Sequence, residues 1–234
     1  MRTILIMGSS GGLGEHLIDF FSEKDVTLAL HYFENKPKKV PANAELFKAD
    51  IREEQEVKEL IEAVVSEYGS IDIVINNAGI SKSEMSWKAS KQNWEDTIGV
   101  NLTGPFYVTK YVLPYMRENQ FGRIIFMSSI VAQTGFIGAS AYGASKAGLI
   151  GLTKSIAKEV ANKNITINSI ALGYFNAGMI NDVPEDMQAA LMKQIPLNKL
   201  GEPFQLAKLI EYLSTEEAAY LTGQTLNLNG GLYS

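Results

Sequence analysis

The sequence predicts an α/β fold of the doubly wound type, with a parallel seven-stranded sheet and helices on both faces. Two observations predict it: apolar runs of strand length alternate with longer amphipathic stretches along all 234 residues, and a glycine-rich segment directly follows the first apolar run. Such alternation is typical of parallel strands joined by helical crossovers. The length fits one large domain, so we expect residues 1–234 to form a single domain.

Each element is assigned from its periodicity and its flanking turn residues. The predicted strands lie near Thr3–Met7, Val26–His31, Ala44–Ala49, Ile71–Asn76, Arg123–Ser128, Thr166–Ala171 and Thr225–Leu228. The predicted helices lie near Gly12–Phe21, Glu53–Tyr68, Lys91–Arg117, Tyr142–Ala161 and Phe204–Ser214, with a looser helical segment at Pro184–Gln194. Residues 34–43 contain two prolines, which predict a loop in place of the second crossover helix.

Composition excludes several kinds of chemistry. The net charge of -5 argues against a nucleic-acid partner, and the lack of cysteine excludes disulfides, thiolate nucleophiles and cysteine-ligated zinc. The two histidines, His16 and His31, lie near the N-terminus, which disfavours a Ser-His-Asp hydrolase or a multi-histidine metal site. The opening residues lack a signal-peptide pattern and no 18-residue apolar stretch follows, so we expect a cytoplasmic protein without a membrane or metal partner.

The glycine-rich segment reads Met7-Gly8-Ser9-Ser10-Gly11-Gly12-Leu13-Gly14, between the first predicted strand and the first predicted helix. At such a turn, missing side chains let the backbone approach a pyrophosphate, and the helix N-terminus offers unpaired N–H groups. The segment therefore predicts a dinucleotide-binding turn. The alternative is a tight turn whose glycines serve packing alone.

The spacing Gly-x-x-x-Gly-x-Gly resembles the short-chain dehydrogenase/reductase family, which has a Rossmann-type fold. Further motifs of this family follow in order from residue 3 to the end: Asp50-Ile51, Asn76-Asn77-Ala78-Gly79, Asn101, Ser129 and Tyr142-x-x-x-Lys146. The resemblance implies four catalytic residues, Asn101, Ser129, Tyr142 and Lys146. It implies cofactor contacts at Gly8, Ser10, Gly12, Leu13, Gly14, Tyr32, Asp50, Ile51, Asn77, Ala78, Gly79, Tyr142, Lys146, Gly173 and Phe175.

The Tyr-x-x-x-Lys spacing occurs twice in the chain. Tyr142 and Lys146 lie on a predicted helix, where positions i and i+4 share a face. Tyr32 and Lys36 lie on a strand and a loop, where this spacing does not align side chains. The first pair therefore suits acid-base chemistry, although an incidental surface pair remains the alternative.

Reduction of a carbonyl needs a proton donor for the developing oxyanion, and without cysteine or a suitable histidine the Tyr142 phenol is the obvious donor. We expect the nearby Lys146 ammonium to lower the phenol pKa toward working pH. The resemblance implies that Lys146 also holds the nicotinamide ribose. It further implies that Ser129 contacts the substrate oxygen and that Asn101 organises a proton-relay water.

Two features bear on the cofactor. The family usually has a threonine that contacts the carboxamide where this chain has Ala177, so that contact falls to backbone groups or to Asn176. NAD users commonly carry aspartate at the position of Tyr32, whereas NADP users often carry a basic residue at the positions of Gly11 or Phe33. Ser10, Asn35 and Lys36 favour NADP(H) over NAD(H), and Glu34 argues the other way.

The C-terminal stretch, from Ile195-Pro196-Leu197 to Asn229-Gly230-Gly231, most resembles bacterial 3-oxoacyl-(acyl-carrier-protein) reductases. This implies a 3-oxoacyl thioester as substrate and acyl carrier protein as a possible partner. For that acidic partner the basic candidates at the site mouth are Arg117, Arg123 and Lys163. Alternatives are a reductase of another ketone, CoA ester, sugar or alcohol, and a non-catalytic dinucleotide-sensing regulator.

The segment Tyr174–Ile195 is the expected substrate loop, and its apolar residues either line an acyl channel or pack on the core. Whether it closes as a lid is left open. Exposed apolar residues on the helices Lys91–Arg117 and Tyr142–Ala161 suit a homotetramer or a homodimer.

Overall fold

The structure, a computed structural model, describes residues 1–234 apart from the side chain of Asp182. It contains a single parallel sheet. The strands are β1 (Arg2–Met7), β2 (Val26–Tyr32), β3 (Ala44–Lys48), β4 (Ile73–Asn76), β5 (Gly122–Ser129), β6 (Ile165–Leu172) and β7 (Thr225–Leu228). Their order across the sheet is β3-β2-β1-β4-β5-β6-β7, which confirms the predicted doubly wound topology.

The helices are α1 (Gly12–Ser22), α2 (Glu54–Tyr68), α3 (Lys91–Ile98), α4 (Gly104–Asn119), α5 (Val131–Thr134), α6 (Ser140–Val160), α7 (Glu185–Met192) and α8 (Pro203–Leu213). Short 3₁₀ turns span Ser86–Lys88, Ala161–Lys163 and Gly178–Asp182. Residues 34–43 form neither helix nor strand, which confirms the predicted loop. Among the described helices, none combines the length and apolar character that a membrane crossing requires.

Alternate residues of β1 face opposite sides of the sheet. Leu5 and Met7 join the apolar cluster under α2, α4 and α6, whereas Ile4 and Ile6 join the cluster under α1 and α8. Because both faces of a covered parallel strand are buried, such strands read as continuous apolar runs. The helices therefore pack on both faces, as predicted.

The predicted helix Lys91–Arg117 is wrong in one respect, because it is not continuous. Residues Gly99–Thr103 form a π-helical turn between α3 and α4. A Cβ added at Gly104 would lie 2.9 Å from side-chain and main-chain atoms of Ile51, so the chain passes very close to its neighbour there. π turns widen a helix locally and are frequent at functional sites. This one carries Asn101, which is completely buried.

Candidate active site

The predicted site residues gather at the carboxyl edge of the sheet, around the ends of β1, β4 and β5. β1 lies between β2 and β4 in the sheet, so the crossover direction reverses between β1 and β4. In open parallel sheets this switch point forms a crevice that binds ligands. The glycine-rich turn follows β1, and Asn77, Ala78 and Gly79 follow β4, so both motifs border the crevice.

The glycines of the turn have different surroundings. Gly8 has a φ of +72°, and a Cβ there would lie 2.5 Å from the Cα of Ala78. A Cβ at Gly14 would lie 2.5 Å from the carbonyl oxygen of Gly8. At these two positions the missing side chain allows close packing of the chain on itself. Gly12 is exposed, and its Cβ would meet the backbone nitrogen of Gly178 at 2.5 Å.

The start of α1 fits an anionic group. Its N-cap residue is Gly11, which supplies no side-chain acceptor to the N–H groups of the first turn. Ser10 and Leu13 are half-buried on either side of this position. Unpaired N–H groups and the positive end of a helix dipole favour a phosphate. The residues present therefore fit the pyrophosphate of a dinucleotide.

Asn101 connects the π turn to β4 and α6. Its side-chain oxygen accepts a hydrogen bond from the Ile80 backbone nitrogen at 2.8 Å, and its amide nitrogen donates to the Ile80 carbonyl at 2.9 Å. The same nitrogen lies 3.1 Å from the Ser145 hydroxyl, which donates to the Tyr142 carbonyl at 2.7 Å. Asn101 thus holds the segment after β4 against the helix that carries Tyr142.

Lys146 lies on α6 with its ammonium inside the protein. Its Nζ donates a 2.7 Å hydrogen bond to the Met127 carbonyl oxygen and lies 5.6 Å from the centroid of the Tyr142 ring. A Cβ at Gly79 would lie 3.3 Å from this Nζ and 3.4 Å from the Asn101 side-chain oxygen. Gly79 therefore leaves room for both groups. Burial lowers the pKa of Lys146 to about 8.

The pKa of the Tyr142 phenol is raised, whereas the sequence analysis predicts that it is lowered. Burial raises its pKa, a hydrogen bond with Ser129 opposes the rise, and the Tyr174 phenol adds to it. The expectation that the pKa of Tyr142 is lowered is wrong for this structure, because loss of water around the phenolate outweighs the hydrogen bond with Ser129. A phenol in these surroundings stays protonated at neutral pH and can donate a proton.

Comparisons with known proteins agree with this geometry. A family model described as "Enoyl-(Acyl carrier protein) reductase" matches residues 8–233. The chain is a short-chain dehydrogenase/reductase. As a member of this family it is an NAD(P)-dependent oxidoreductase.

Its curated relatives match over nearly their full length. Two are named 3-oxoacyl-(acyl-carrier-protein) reductase. The one from Staphylococcus epidermidis is 36% identical over 241 residues, covering 99% of each chain, and the one from Thermotoga maritima is 34% identical over 239 residues, covering 99% of this chain and 97% of the relative. Nodulation protein G from Rhizobium sp. is 36% identical over 236 residues, covering 99% and 96%.

Beyond the end of β3, the predicted cofactor contacts Asp50 and Ile51 are engaged with the protein itself. Asp50 accepts hydrogen bonds from the Arg52 backbone and side chain, and Arg52 also binds Asp96 at 2.9 Å. These bonds hold the pKa of Asp50 below its usual value. Ile51 is buried.

Tyr32 ends β2, and the Lys36 Nζ lies 5.7 Å from its ring centroid. The expectation that this spacing does not align the two side chains on a strand and a loop is therefore wrong for the second Tyr-x-x-x-Lys pair. The chain turns back after β2 and brings the ammonium over the ring. Tyr32 nevertheless ends β2, and two strands, β1 and β4, separate β2 from β5, which carries Ser129.

Beyond β6 the dehydrogenase packs tightly. A Cβ at Gly173 would lie 2.7 Å from the Asn229 Cα, and the Phe175 ring is buried against Gly201. Only main-chain atoms of Phe175 remain for a cofactor contact. Ala177 packs against Gly12: a Cβ added at Gly12 would lie 3.5 Å from the carbonyl carbon of Ala177.

The prediction of a basic patch at the site mouth is wrong. Arg123 is fully buried at the start of β5, where its guanidinium donates to the Asn164 carbonyl at 2.9 Å and pairs with Glu216 at 3.3 Å. Arg117 lies in the last turn of α4 and Lys163 follows α6, so both lie at the amino edge of the sheet, opposite the site. These residues do not border the site mouth.

Sequence reasoning missed three residues near the site: His31, Ser145 and Tyr174. Ser145 was detectable as a small polar residue three positions after Tyr142, on a helix face that the structure buries completely. His31 stands out as the one imidazole in the apolar strand β2. No local pattern marks Tyr174, because its approach to Tyr142 depends on how β6 ends.

Proposed function

We propose that the chain reduces the ketone of a 3-oxoacyl thioester to an alcohol, with NADPH as the preferred cofactor. One observation carries this proposal: Asn101, Ser129, Tyr142 and Lys146 lie together beside the glycine-rich turn, in a chain 34–36% identical to proteins named 3-oxoacyl-(acyl-carrier-protein) reductase. A binding module has no need of a proton donor in this position. The arrangement therefore favours turnover over redox sensing alone.

The reduced nicotinamide, when bound, supplies the hydride that adds to the carbonyl carbon. Tyr142 donates its phenolic proton to the carbonyl oxygen, and its raised pKa keeps that proton available at neutral pH. Ser129 donates a hydrogen bond to the same oxygen as negative charge develops there. Lys146 holds the ribose hydroxyls, and Asn101 orients the water that returns a proton to Tyr142, as the family resemblance implies.

We assign the dinucleotide to the crevice between β1 and β4. The turn formed by Gly8, Ser10, Gly12, Leu13 and Gly14 would hold the pyrophosphate. The remaining contacts come from Tyr32, Asp50, Ile51, Asn77, Ala78, Gly79, Gly173 and the backbone of Phe175. Tyr32 offers no carboxylate to repel a 2′-phosphate, and Lys36 over its ring supplies a positive charge nearby. These two features favour NADPH.

Acyl carrier protein is the proposed partner, and the chain is proposed to work as a homotetramer or a homodimer. Lys88 and Lys91 are exposed on the segment that follows β4, on the same side of the sheet as the site. These lysines take the place of Arg117, Arg123 and Lys163 as candidates to meet an acidic partner. Light scattering of the purified chain gives the oligomeric state.

An assay of cofactor oxidation tests this function. The enzyme is given NADPH or NADH with a short 3-oxoacyl group, carried on acyl carrier protein or on CoA. A 2-enoyl thioester is assayed in parallel, because the matching family model is described as an enoyl reductase. We expect rapid NADPH oxidation with the 3-oxoacyl substrate, faster on carrier protein than on CoA.

Each other outcome selects an alternative. Oxidation with the enoyl substrate alone would replace ketone reduction by enoyl reduction. Equal rates on both carriers would remove acyl carrier protein as a partner. Turnover only with unrelated ketones would leave the substrate class wrong, and dinucleotide binding without any turnover would support a regulator.

A further inference from the structure

The first two residues of the glycine-rich turn are tied to His31, the penultimate residue of β2. The Gly8 backbone N–H donates to Nδ1 of the imidazole at 3.0 Å. The Ser9 backbone N–H and hydroxyl donate to the His31 carbonyl oxygen at 2.9 and 2.8 Å. His31 is only 2% exposed, so these bonds are shielded from water.

The two ring nitrogens have different partners, and these fix the form of the ring. Nε2 lies 2.9 Å from the Ala49 carbonyl oxygen, which can only accept, so Nε2 carries the proton. Nδ1 is then an unprotonated acceptor for the Gly8 N–H. This arrangement requires a neutral imidazole, and burial lowers the pKa of His31 to about 4 despite the nearby Asp50 carboxylate.

The carbonyl of Gly8, which belongs to the next peptide group, is held as well. Asn77, which follows β4, donates its side-chain amide to the Gly8 carbonyl oxygen at 2.8 Å. That oxygen is also the atom that a Cβ at Gly14 would strike at 2.5 Å. The first turn of α1 therefore packs against the Gly8 carbonyl, so a shift of the Gly8 backbone would change the direction of the N–H groups of this turn.

We propose that His31 is a positioning residue for dinucleotide binding. Its imidazole fixes the Gly8 N–H, and through the Gly8 backbone the N–H groups at the start of α1 that would hold the pyrophosphate, without touching the dinucleotide. This inference rests on the dinucleotide dependence of the family and is independent of the substrate. A ring that merely filled space in the core would affect stability alone.

Two substitutions test the two ring nitrogens of His31 separately. In His31→Asn the side-chain oxygen takes the place of Nδ1, so the acceptor for Gly8 is kept and the donor to Ala49 is lost. In His31→Gln the amide nitrogen reaches toward Ala49, and no polar atom remains at the place of Nδ1. Each variant loses volume and leaves one buried group without its partner, so both should lower Tm similarly.

The readout is the Kd of NADPH and of NADH, measured by titration below the melting transition. We expect His31→Gln to raise Kd about tenfold, as loss of one acceptor for a buried N–H implies, and His31→Asn to stay within about threefold of the parent. In turnover, the KM for the dinucleotide should rise more than kcat falls. If His31→Gln is too unstable to titrate, His31→Phe replaces it with the same expectation.

Equal Kd values for both variants would overturn the positioning role, as would a larger loss in His31→Asn. A parent that binds dinucleotide but reduces no ketone would refute the proposed substrate and leave this test intact. A parent that binds neither NADPH nor NADH would overturn both proposals.

Discussion

The ammonium of Lys146 donates a hydrogen bond to the main-chain oxygen of Met127, 2.7 Å away in the interior. A carbonyl offsets only part of the cost of removing an ammonium from water. Burial therefore lowers the pKa of this lysine to about 8, from its ordinary 10.5. Lys146 changes charge close to physiological pH, which is unusual for a lysine.

This pKa predicts how stability depends on pH. The folded state releases the Lys146 proton near pH 8 and the unfolded state near pH 10.5, so the unfolded state binds more protons between these values and stability rises with pH. Relative to Lys146→Met, the parent should gain about 1.5 kcal/mol in free energy of unfolding from pH 8 to 9.5. Urea unfolding of both proteins at pH 8 and pH 9.5 measures this change in the free energy of unfolding.

The control is Lys158→Met, which removes an exposed lysine from the same helix. If the parent and Lys146→Met show the same pH dependence of unfolding, the lowered pKa of Lys146 is wrong.

A second prediction concerns proton donation. Tyr142→Phe should lower turnover about 100- to 10,000-fold, the usual cost of losing a positioned acid, with little change in dinucleotide affinity. Steady-state kinetics with a ketone substrate and titration with NADPH measure the two effects. Tyr32→Phe removes the phenol of the other Tyr-x-x-x-Lys pair and should leave turnover within a few-fold of the parent. The reverse result would move the catalytic role from Tyr142 to Tyr32.

A third prediction separates two glycines of the same turn. In Gly14→Ala the new Cβ would lie 2.5 Å from the Gly8 carbonyl oxygen, so the Gly8 peptide must shift and dinucleotide binding should be lost. In Gly11→Ala the nearest such atom is 3.8 Å away and the backbone is extended, so the fold should accept the methyl group. Circular dichroism should show both variants folded. Tight NADPH binding by Gly14→Ala would contradict the tight packing of this turn.

The fourth prediction concerns the cofactor phosphate. Tyr32→Asp places a carboxylate at the end of β2, where it repels a 2′-phosphate and can accept hydrogen bonds from ribose hydroxyls. The ratio of kcat/KM for NADPH to that for NADH should fall about tenfold or more, as a like-charge contact of ~1.4 kcal/mol implies. Tyr32→Asn supplies no charge and serves as the control. A parent that already prefers NADH would refute the NADPH preference at the outset.

Most of the architecture was predictable because it depends on local patterns. The apolar runs of β1, β4, β5 and β6 are long enough to indicate buried parallel strands, and the prolines of residues 34–43 exclude a helix there. The interruption at Gly99–Thr103 was missed, although Gly104 and Pro105 directly after it are residues that commonly break a helix.

The sequence by itself determined the fold class and the identity of the residues that meet at the switch point. Gly8 was identified from the glycine-rich turn between the first strand and the first helix, and Asn77, Ser129 and Tyr142 from motifs that resemble those of the family. The tertiary structure decided the pKa values of these residues and the hydrogen bonds that hold them in place. The directions of the Tyr142 and Lys146 pKa shifts depend on how much water packing removes, and the bond from Gly8 to His31 joins neighbouring strands 23 residues apart in sequence. Desolvation and long-range hydrogen bonds arise only when distant segments pack together, so no local pattern encodes them.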